Sequence, residues 1–217
     1  MLDYLRNIIR KIFWLVYTPM SAELWVKICG NKKVEEVKEL LSEFGKNLST
    51  SEIGSAEGYI TRRLALEGII SSGVAYDILP QRLEKGETRA KKENIADKVK
   101  FIHGDAKKLP FEDKEYDVVM LLDVLEHIPK KEDVIQSIKE AYRVTSRGVI
   151  ISVPQTTFSK YVDIDHLRIL MSKPNNSWIY NPRSFQTELR ELGYNFRKIS
   201  QRDGTYLIYK EEFTPIS

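Results

Sequence analysis

The sequence predicts an α/β, doubly wound fold with a mostly parallel sheet that ends in an antiparallel hairpin. Short runs rich in β-branched residues alternate with helical stretches along most of the chain, and this pattern is typical of parallel strands covered by helices on both faces. Arg202-Asp203-Gly204 separates the last two strand-like runs, and Asp-Gly in that position is a hairpin signal. The 217 residues suffice for one such domain.

The individual elements follow from local patterns, in chain order. Apolar residues at three- and four-residue spacing predict an amphipathic helix over residues 1–17, ended near Thr18-Pro19. Residues 48–51 lie where the first strand belongs, but they are too polar for periodicity to identify a strand. The other strands are expected at 74–78, 99–102, 117–122, 149–153, 194–200 and 205–210, and the helices at 33–44, 58–71, 80–95, 131–144 and 182–192.

Composition and charge exclude several classes of protein. Hydrophobic residues make up 42% and charged residues 30% of the chain, which fits no disordered, collagenous or coiled-coil profile. The lone Cys29 excludes a disulfide scaffold and favours a reducing, cytoplasmic compartment. The net charge of +3 arises in residues 1–33, which hold six basic and two acidic residues. This asymmetry argues against nucleic acid as a partner, because a nucleic-acid enzyme more often has basic residues around its cleft.

The predicted N-terminal helix, residues 1–17, has two open interpretations. Its uninterrupted apolar run covers only residues 12–17, far fewer than the roughly 20 that span a bilayer, so it is not expected to cross a membrane. It is either a lid or packing element carrying Phe13, Trp14 and Tyr17, or a peripheral membrane contact whose basic residues face anionic lipid. Its apolar face could equally pair two subunits as a homodimer.

A series of small and acidic residues follows the expected strand ends. In a doubly wound sheet, ligands bind beyond the C-terminal ends of the strands, where the strand order reverses. Gly54-x-Ala56-x-Gly58 allows a sharp turn and a close approach to a ligand. Asp77 ends the next strand, where a carboxylate can accept both hydroxyls of a ribose. Gly104-Asp105-Ala106 follows the third strand, where a side-chain acceptor can meet an adenine amino group, and Leu122-Asp123 ends the fourth.

Six motifs in order carry a family resemblance: Glu52-x-Gly54-x-Ala56-x-Gly58, Asp77, Gly104-Asp105-Ala106, Leu109-Pro110-Phe111, Tyr116-Asp117-Val118-Val119 and Leu125-Glu126-His127-Ile128. Over about residues 48–212 the chain resembles class I S-adenosylmethionine-dependent methyltransferases of the type 11 group. The resemblance implies the seven-stranded, Rossmann-like fold of that family and S-adenosylmethionine as cofactor.

The resemblance also implies a role for each strand end. Glu52 and the 54–58 turn would flank the methionine portion of the cofactor, Asp77 would hold the ribose, Asp105 and Ala106 the adenine, and Leu122 and Asp123 would line the sulfonium pocket. The cofactor-binding residues expected on this basis are Glu52, Gly54, Ser55, Ala56, Gly58, Asp77, Ile78, Asp105, Ala106, Leu122 and Asp123.

One residue of the turn departs from the family pattern. Ala56 stands where the middle glycine is usual, and we expect a negative φ there, because a Cβ at positive φ is costly. The spacing also disfavours a nicotinamide-binding domain, whose turn is usually Gly-x-Gly-x-x-Gly around a pyrophosphate.

Two histidines are the catalytic candidates. His127 follows the fourth strand and either faces the methyl acceptor or shapes the loop, whereas His103 is expected to be structural. His166 lies in the long connection 154–181 and either contacts substrate or caps a turn. Other substrate contacts are expected from Tyr161, Arg168, Trp178 and Tyr180.

A metal-dependent alternative rests on the same segment. Asp123-x-x-Glu126-His127 with His166 is similar to the pattern of divalent-metal-dependent O-methyltransferases, in which a metal would lower the pKa of an acceptor hydroxyl. Asp123 is shorter than the usual Glu, and Glu-His also occurs in metal-free relatives. No metal is therefore assigned.

These inferences predict two parts of the chain. Residues 1–45 form an N-terminal helical cap or membrane-facing segment, and residues 46–217 form the methyltransferase domain, with 154–181 as a substrate-side insertion. The expected activity is methyl transfer to an O- or N-nucleophile of a small-molecule, glycan or lipid-linked acceptor. The alternatives are an RNA or protein methyltransferase and a non-catalytic cofactor-binding module.

Overall fold

The computed structural model describes residues 30–153, 182–199 and 204–215. The predicted helix 1–17, the connection 154–181 and His166 lie outside these ranges. The helices are α1 (Asn31–Ser42), α2 (Tyr59–Leu66), α3 (Pro80–Lys92), α4 (Lys131–Val144) and α5 (Pro182–Glu191), with a 3₁₀ turn at Leu125–His127. The strands are β1 (Leu48–Ile53), β2 (Ile70–Asp77), β3 (Val99–His103), β4 (Tyr116–Leu122), β5 (Thr145–Val153), β6 (Asn195–Lys198) and β7 (Gly204–Tyr209).

The strands of the described residues form one seven-stranded sheet in the order β3-β2-β1-β4-β5-β7-β6. The first five pair in parallel, and β7 pairs antiparallel with both β5 and β6. The strand order reverses between β1 and β4, which is where ligands bind in such sheets. The structure confirms the α/β, doubly wound fold with its C-terminal hairpin.

Both faces of the sheet are covered. Along β4, Val119 and Leu121 belong to one buried cluster, whereas Val118 and Met120 belong to the other, as expected for side chains that alternate between faces. Helix α1 packs with the second cluster through Val34, Val37, Leu40 and Leu41. No helix among the described residues is both long and apolar enough to cross a bilayer.

The polar residues of β1 lie in the centre of the sheet. Leu48, Thr50 and Ser51 are fully buried, and Ser49 is held by Asp117, whose carboxylate accepts its backbone N–H at 2.8 Å and its hydroxyl at 3.0 Å. The side-chain hydroxyls of Thr50 and Ser51 have no hydrogen-bond partner. Small hydroxyl residues thus occupy the central strand β1, where a search for hydrophobic periodicity expects aliphatic residues.

The predicted helix over 58–71 was too long at its C-terminal end. Gly68 adopts φ +67°, and the N–H of Ile69 bonds to the Leu64 carbonyl at 2.9 Å. A left-handed glycine with this backward hydrogen bond is a common helix stop. The chain therefore leaves α2 at Leu66 and enters β2 at Ile70, four residues before the predicted strand.

Candidate active site

The turn after β1 is built from left-handed residues. Gly54, Ala56 and Gly58 have φ of +77°, +52° and +62°. The N–H groups of Gly54 and Ser55 both donate to the Tyr76 carbonyl, at 2.8 and 3.1 Å, so the end of β2 holds the start of the turn. Helix α2 begins directly afterwards at Tyr59.

The expectation of a negative φ at Ala56 was wrong. The Ala56 N–H donates to Asp77 Oδ2 at 2.7 Å, and this charge-assisted hydrogen bond stabilises a backbone conformation that costs an alanine roughly 1–2 kcal/mol. Ala56 thus follows the same path as a glycine at that position, with its strain offset by the carboxylate of the next strand.

Several glycines lie where a side chain would collide with a neighbour, among them Gly54 and Gly104 at this edge. A Cβ on Gly54 would lie 2.1 Å from Val124 Cγ2, and one on Gly104 would lie 1.9 Å from the Tyr76 hydroxyl oxygen. The Val124 side chain, directly after Asp123, occupies the space beside Gly54, so the ends of β1 and β4 approach each other closely. Tyr76 in turn donates its hydroxyl to the Asp105 carbonyl at 3.2 Å.

Asp77 accepts hydrogen bonds from two backbone segments at this edge of the sheet. Its Oδ1 accepts the Leu79 N–H at 2.8 Å while its Oδ2 holds Ala56, and the residue is 8% exposed. An ionised carboxylate offers about four lone-pair sites, so acceptor capacity remains after these two bonds. Ile78, the next residue, is 59% exposed and presents an apolar surface beside Asp77.

Glu52 lies beneath the turn. Its Oε2 accepts the N–H of Thr61 at 3.0 Å and also the Thr61 hydroxyl, so it satisfies a buried amide in the first turn of α2 that has no partner within the helix. Burial raises the pKa of Glu52 to about 7, against the opposing effect of the Thr61 hydrogen bonds. The carboxyl therefore supports the turn from within, whereas a direct cofactor contact stays a prediction.

The ends of β3 and β4 complete the edge. The Asp105 side chain is partly exposed and accepts the Lys107 N–H at 3.0 Å, and the adjoining Ala106 is half-buried. Leu122 is 9% exposed, while the Asp123 side chain is 42% exposed. His103 Nε2 lies 3.2 Å from the Ile78 carbonyl oxygen, which agrees with a structural role.

The 3₁₀ turn after β4 brings an exposed imidazole beside a buried carboxyl. The side chain of His127 is 70% exposed, that of Glu126 is 5% exposed, and His127 Nε2 lies 3.8 Å from Glu126 Oε1. Burial, assisted by the negative charge of Asp123, raises the pKa of Glu126 to about 8. Glu126 Oε2 is buried and has no hydrogen-bond partner.

Sequence reasoning missed Lys33. Its Nζ lies 3.5 Å from Asp123 Oδ2 and donates to Ser152 Oγ at 3.4 Å, so α1 reaches the edge where the other candidates lie. Nothing in the local pattern around Lys33 could have revealed this contact, because it depends on the path of α1 across the sheet. Within the described residues, no three metal-ligating side chains are grouped closely enough to hold an ion; His166 lies beyond them.

A family model described as a methyltransferase domain matches residues 51–153. That span includes the turn, Asp77, Asp105 and Asp123. Residues 51–153 belong to the class I methyltransferase family, type 11 group. The matched span thus begins within β1 and ends with β5.

Two known methyltransferases are similar to part of this chain. The chain is 31% identical over 101 residues to a ubiquinone/menaquinone biosynthesis C-methyltransferase of Ectopseudomonas mendocina, covering 46% of this chain and 40% of that protein. It is 27% identical over 146 residues to the 27-O-demethylrifamycin SV methyltransferase of Amycolatopsis mediterranei, covering 65% of this chain and 52% of that protein. The alignments therefore span about half of these relatives or less.

A solved structure shares the fold over most of its length. The PH0226 protein of Pyrococcus horikoshii superposes with a TM-score of 0.66 at 22% identity, covering 89% of this chain and 94% of that one. At this identity the likeness supports the Rossmann-like architecture of the methyltransferase domain.

Proposed function

We propose that this protein is an S-adenosylmethionine-dependent methyltransferase acting on an O- or N-nucleophile of a small-molecule, glycan or lipid-linked acceptor. The observation that carries the proposal is the left-handed turn 54–58, closed by Asp77 beside the point where the strand order reverses. The family match over residues 51–153 supports the same reaction class.

The residues at this edge fit the cofactor. A Cβ at Gly54 would collide with the Val124 side chain and one at Gly104 with the Tyr76 side chain, so the chain path at both positions requires glycine. Asp77 retains acceptor sites for ribose hydroxyls, and the exposed Ile78 offers an apolar contact for a purine face. In this assignment Asp105 and Ala106 lie beside the adenine, with Glu52, Ser55, Leu122 and Asp123 nearer the methionine end. The bound cofactor would supply an electrophilic methyl group on a sulfonium.

His127 is the proposed proton acceptor, and it lies beside the buried Glu126. A hydroxyl or protonated amine acceptor loses a proton during methylation, and an exposed imidazole beyond the end of β4 can receive it. The neighbouring Glu126 Oε1 is 3.8 Å away from His127 Nε2, too far for a direct hydrogen bond in this arrangement. Because its raised pKa of about 8 keeps Glu126 largely protonated near neutral pH, His127 is the proton acceptor of the pair. The chain thus contributes orientation and a proton acceptor, which is much of what an in-line displacement requires.

Relatives bear on the acceptor only through their names. One is named as a C-methyltransferase and the other by an O-demethyl substrate, so similar enzymes are named for both carbon and oxygen acceptors. A carbon nucleophile would keep the cofactor site unchanged and alter only the acceptor side.

The proposal is tested by methyl transfer from carbon-13-methyl-labelled, tritiated S-adenosylmethionine into fractionated extracts of the source cells. We expect label in the small-molecule, glycan or lipid fraction. The carbon-13 shift of the product methyl separates O-, N- and C-linked products. Label confined to RNA or protein, or cofactor binding without transfer to any fraction, would contradict the proposed acceptor class or catalysis respectively.

His127→Ala should lower the rate of this transfer by roughly 10²–10⁴-fold, the usual contribution of a positioned acid–base group. Cofactor binding should persist. His103→Gln is the matched control, since the amide can still donate to the Ile78 carbonyl, and its rate should stay near that of the wild type. Equal rates for His127→Ala and wild type would remove His127 from the proton path.

A further inference from the structure

A closed cluster of polar groups joins α1 to the ends of β4 and β5. Ser152 Oγ donates to Asp123 Oδ1 at 2.7 Å and accepts both the Asp123 N–H at 3.1 Å and Lys33 Nζ at 3.4 Å. Asp123 N–H also donates to the Ser152 carbonyl at 3.0 Å, and Lys33 Nζ lies 3.5 Å from Asp123 Oδ2. A hydroxyl has one donor and two acceptor sites, so the hydroxyl of Ser152 is fully used.

This cluster holds Asp123 in a strained backbone conformation. Asp123 has φ +50°, which costs a non-glycine residue about 1–2 kcal/mol. The strain persists only where surrounding contacts fix it, and here these are the Ser152 bonds and the Lys33 charge. The conformation directs the chain from β4 into Val124, the side chain that lies against Gly54.

Helix α1 is itself fixed at this edge by further contacts. Asn31 Oδ1 accepts the Tyr59 hydroxyl at 2.7 Å, and Glu36 Oε1 accepts the Thr205 hydroxyl at 2.8 Å. Lys33 also lies 3.5 Å from Glu36, and its side chain is only 17% exposed. The ammonium group is therefore presented to Asp123 by a helix with its own attachments to α2 and β7.

We infer that Lys33 is a positioning residue of the cofactor site, acting through Asp123 and Ser152 on the spacing between Val124 and the Gly54 turn. The inference rests on the proposed function, since Asp123 and Gly54 are assigned to the cofactor there. It gives the segment before β1 a part in the site, although the family match begins only at residue 51.

The test compares S-adenosylhomocysteine binding by calorimetry for the full chain carrying Lys33→Met, Lys33→Arg or Lys38→Met. Lys33→Met should weaken binding about tenfold, the size of one charge-assisted hydrogen-bond contribution. Lys33→Arg, which keeps charge and donors, should restore most of the affinity. Lys38→Met is the matched control, because Lys38 lies on the same helix but pairs with Glu35 and Glu67.

A second variant covers the case in which Lys33→Met does not fold. Ser152→Ala removes the shared hydroxyl and should weaken binding to a similar extent, and the double variant should lose less than the sum of the two changes. The inference would be overturned if Lys33→Met bound with wild-type affinity or if Lys33→Met and Lys38→Met lost affinity equally. It would also be overturned if Lys33→Arg failed to restore binding. Absence of binding by the wild type would instead contradict the proposed function.

Discussion

Two buried acidic residues, Asp77 and Glu126, have different hydrogen-bonding surroundings. Asp77 is bonded to two backbone amides, whereas Glu126 is buried beside Asp123 with one oxygen unpartnered. Burial without compensating donors favours the neutral acid. Asp77 therefore holds the turn in place, whereas Glu126 carries a proton in the folded protein, just beyond the end of β4.

Glu126 predicts a pH dependence of stability. Its pKa in the folded protein, about 8, lies above its ordinary value of 4.5, so its contribution is fully present below the unfolded pKa and is lost as the pH rises through 8. Glu126→Gln mimics the protonated form, and its free energy of unfolding should gain on the wild type by up to about 1.4 kcal/mol per pH unit between pH 5 and 8.

Chemical denaturation at several pH values measures this difference. Glu84→Gln, at an exposed position on α3, is the control and should run parallel to the wild type. A constant difference between Glu126→Gln and wild type over this range would show that Glu126 is ionised in the folded protein.

We expect replacement of Ala56 by glycine to leave the stability of the protein level or to raise it. Because the residue is held at φ +52°, Ala56→Gly relieves strain, and the gain is partly offset by the greater freedom of glycine in the unfolded chain. The free energy of unfolding should stay level or rise by up to about 1 kcal/mol. Ala141→Gly, in the buried middle of α4, should instead lose about 1 kcal/mol or more. A comparable loss in both variants would refute the strained turn.

At the scale of elements, the connection from β1 to α2 depends on how closely β4 approaches it. Gly54 and Gly68 both have positive φ, +77° and +67°, but only Gly54 faces a neighbouring side chain. Alanine at either position would be strained by the positive φ, but only alanine at Gly54 would also collide with a neighbouring side chain. Comparing the two substitutions therefore separates backbone strain from steric collision.

Gly68→Ala should cost about 1 kcal/mol of unfolding free energy and leave S-adenosylhomocysteine binding unchanged. Gly54→Ala should cost several kcal/mol more or shift Val124, with loss of binding. Thermal denaturation and calorimetry on both variants measure these effects. Equal losses of unfolding free energy in Gly54→Ala and Gly68→Ala, with binding unchanged in both, would contradict the close approach of the β1 and β4 ends.

Sequence patterns predicted most elements but failed where tertiary contacts override local signals. Aliphatic runs identified β2 to β5, while β1 was recognisable only from the turn after it, because its buried Thr50 and Ser51 carry no aliphatic periodicity. The left-handed φ of Ala56 requires the Asp77 carboxylate, a contact made across neighbouring strands. Lys33 is likewise invisible locally, since its role depends on where α1 crosses the sheet.

At the scale of the whole molecule, charge and chemistry lie in different parts of the chain. The positive excess arises in residues 1–33, while the assigned cofactor groups lie at the sheet edge between Glu52 and Asp123. Lys33 is the last basic residue of that N-terminal excess and contacts this edge. Within the described residues, Lys33 thus brings one positive charge of this segment to the edge that carries the assigned cofactor groups.

Cofactor binding at the turn 54–58 and Asp77 is tested most directly by calorimetric titration of the full chain with S-adenosylhomocysteine, for the wild type and Asp77→Ala. We expect one binding site per chain in the wild type and an affinity at least about tenfold lower in Asp77→Ala, which loses the ribose acceptor and the Ala56 bond together. Undetectable binding of both S-adenosylhomocysteine and S-adenosylmethionine by the folded wild type, or equal affinity in Asp77→Ala, would contradict it.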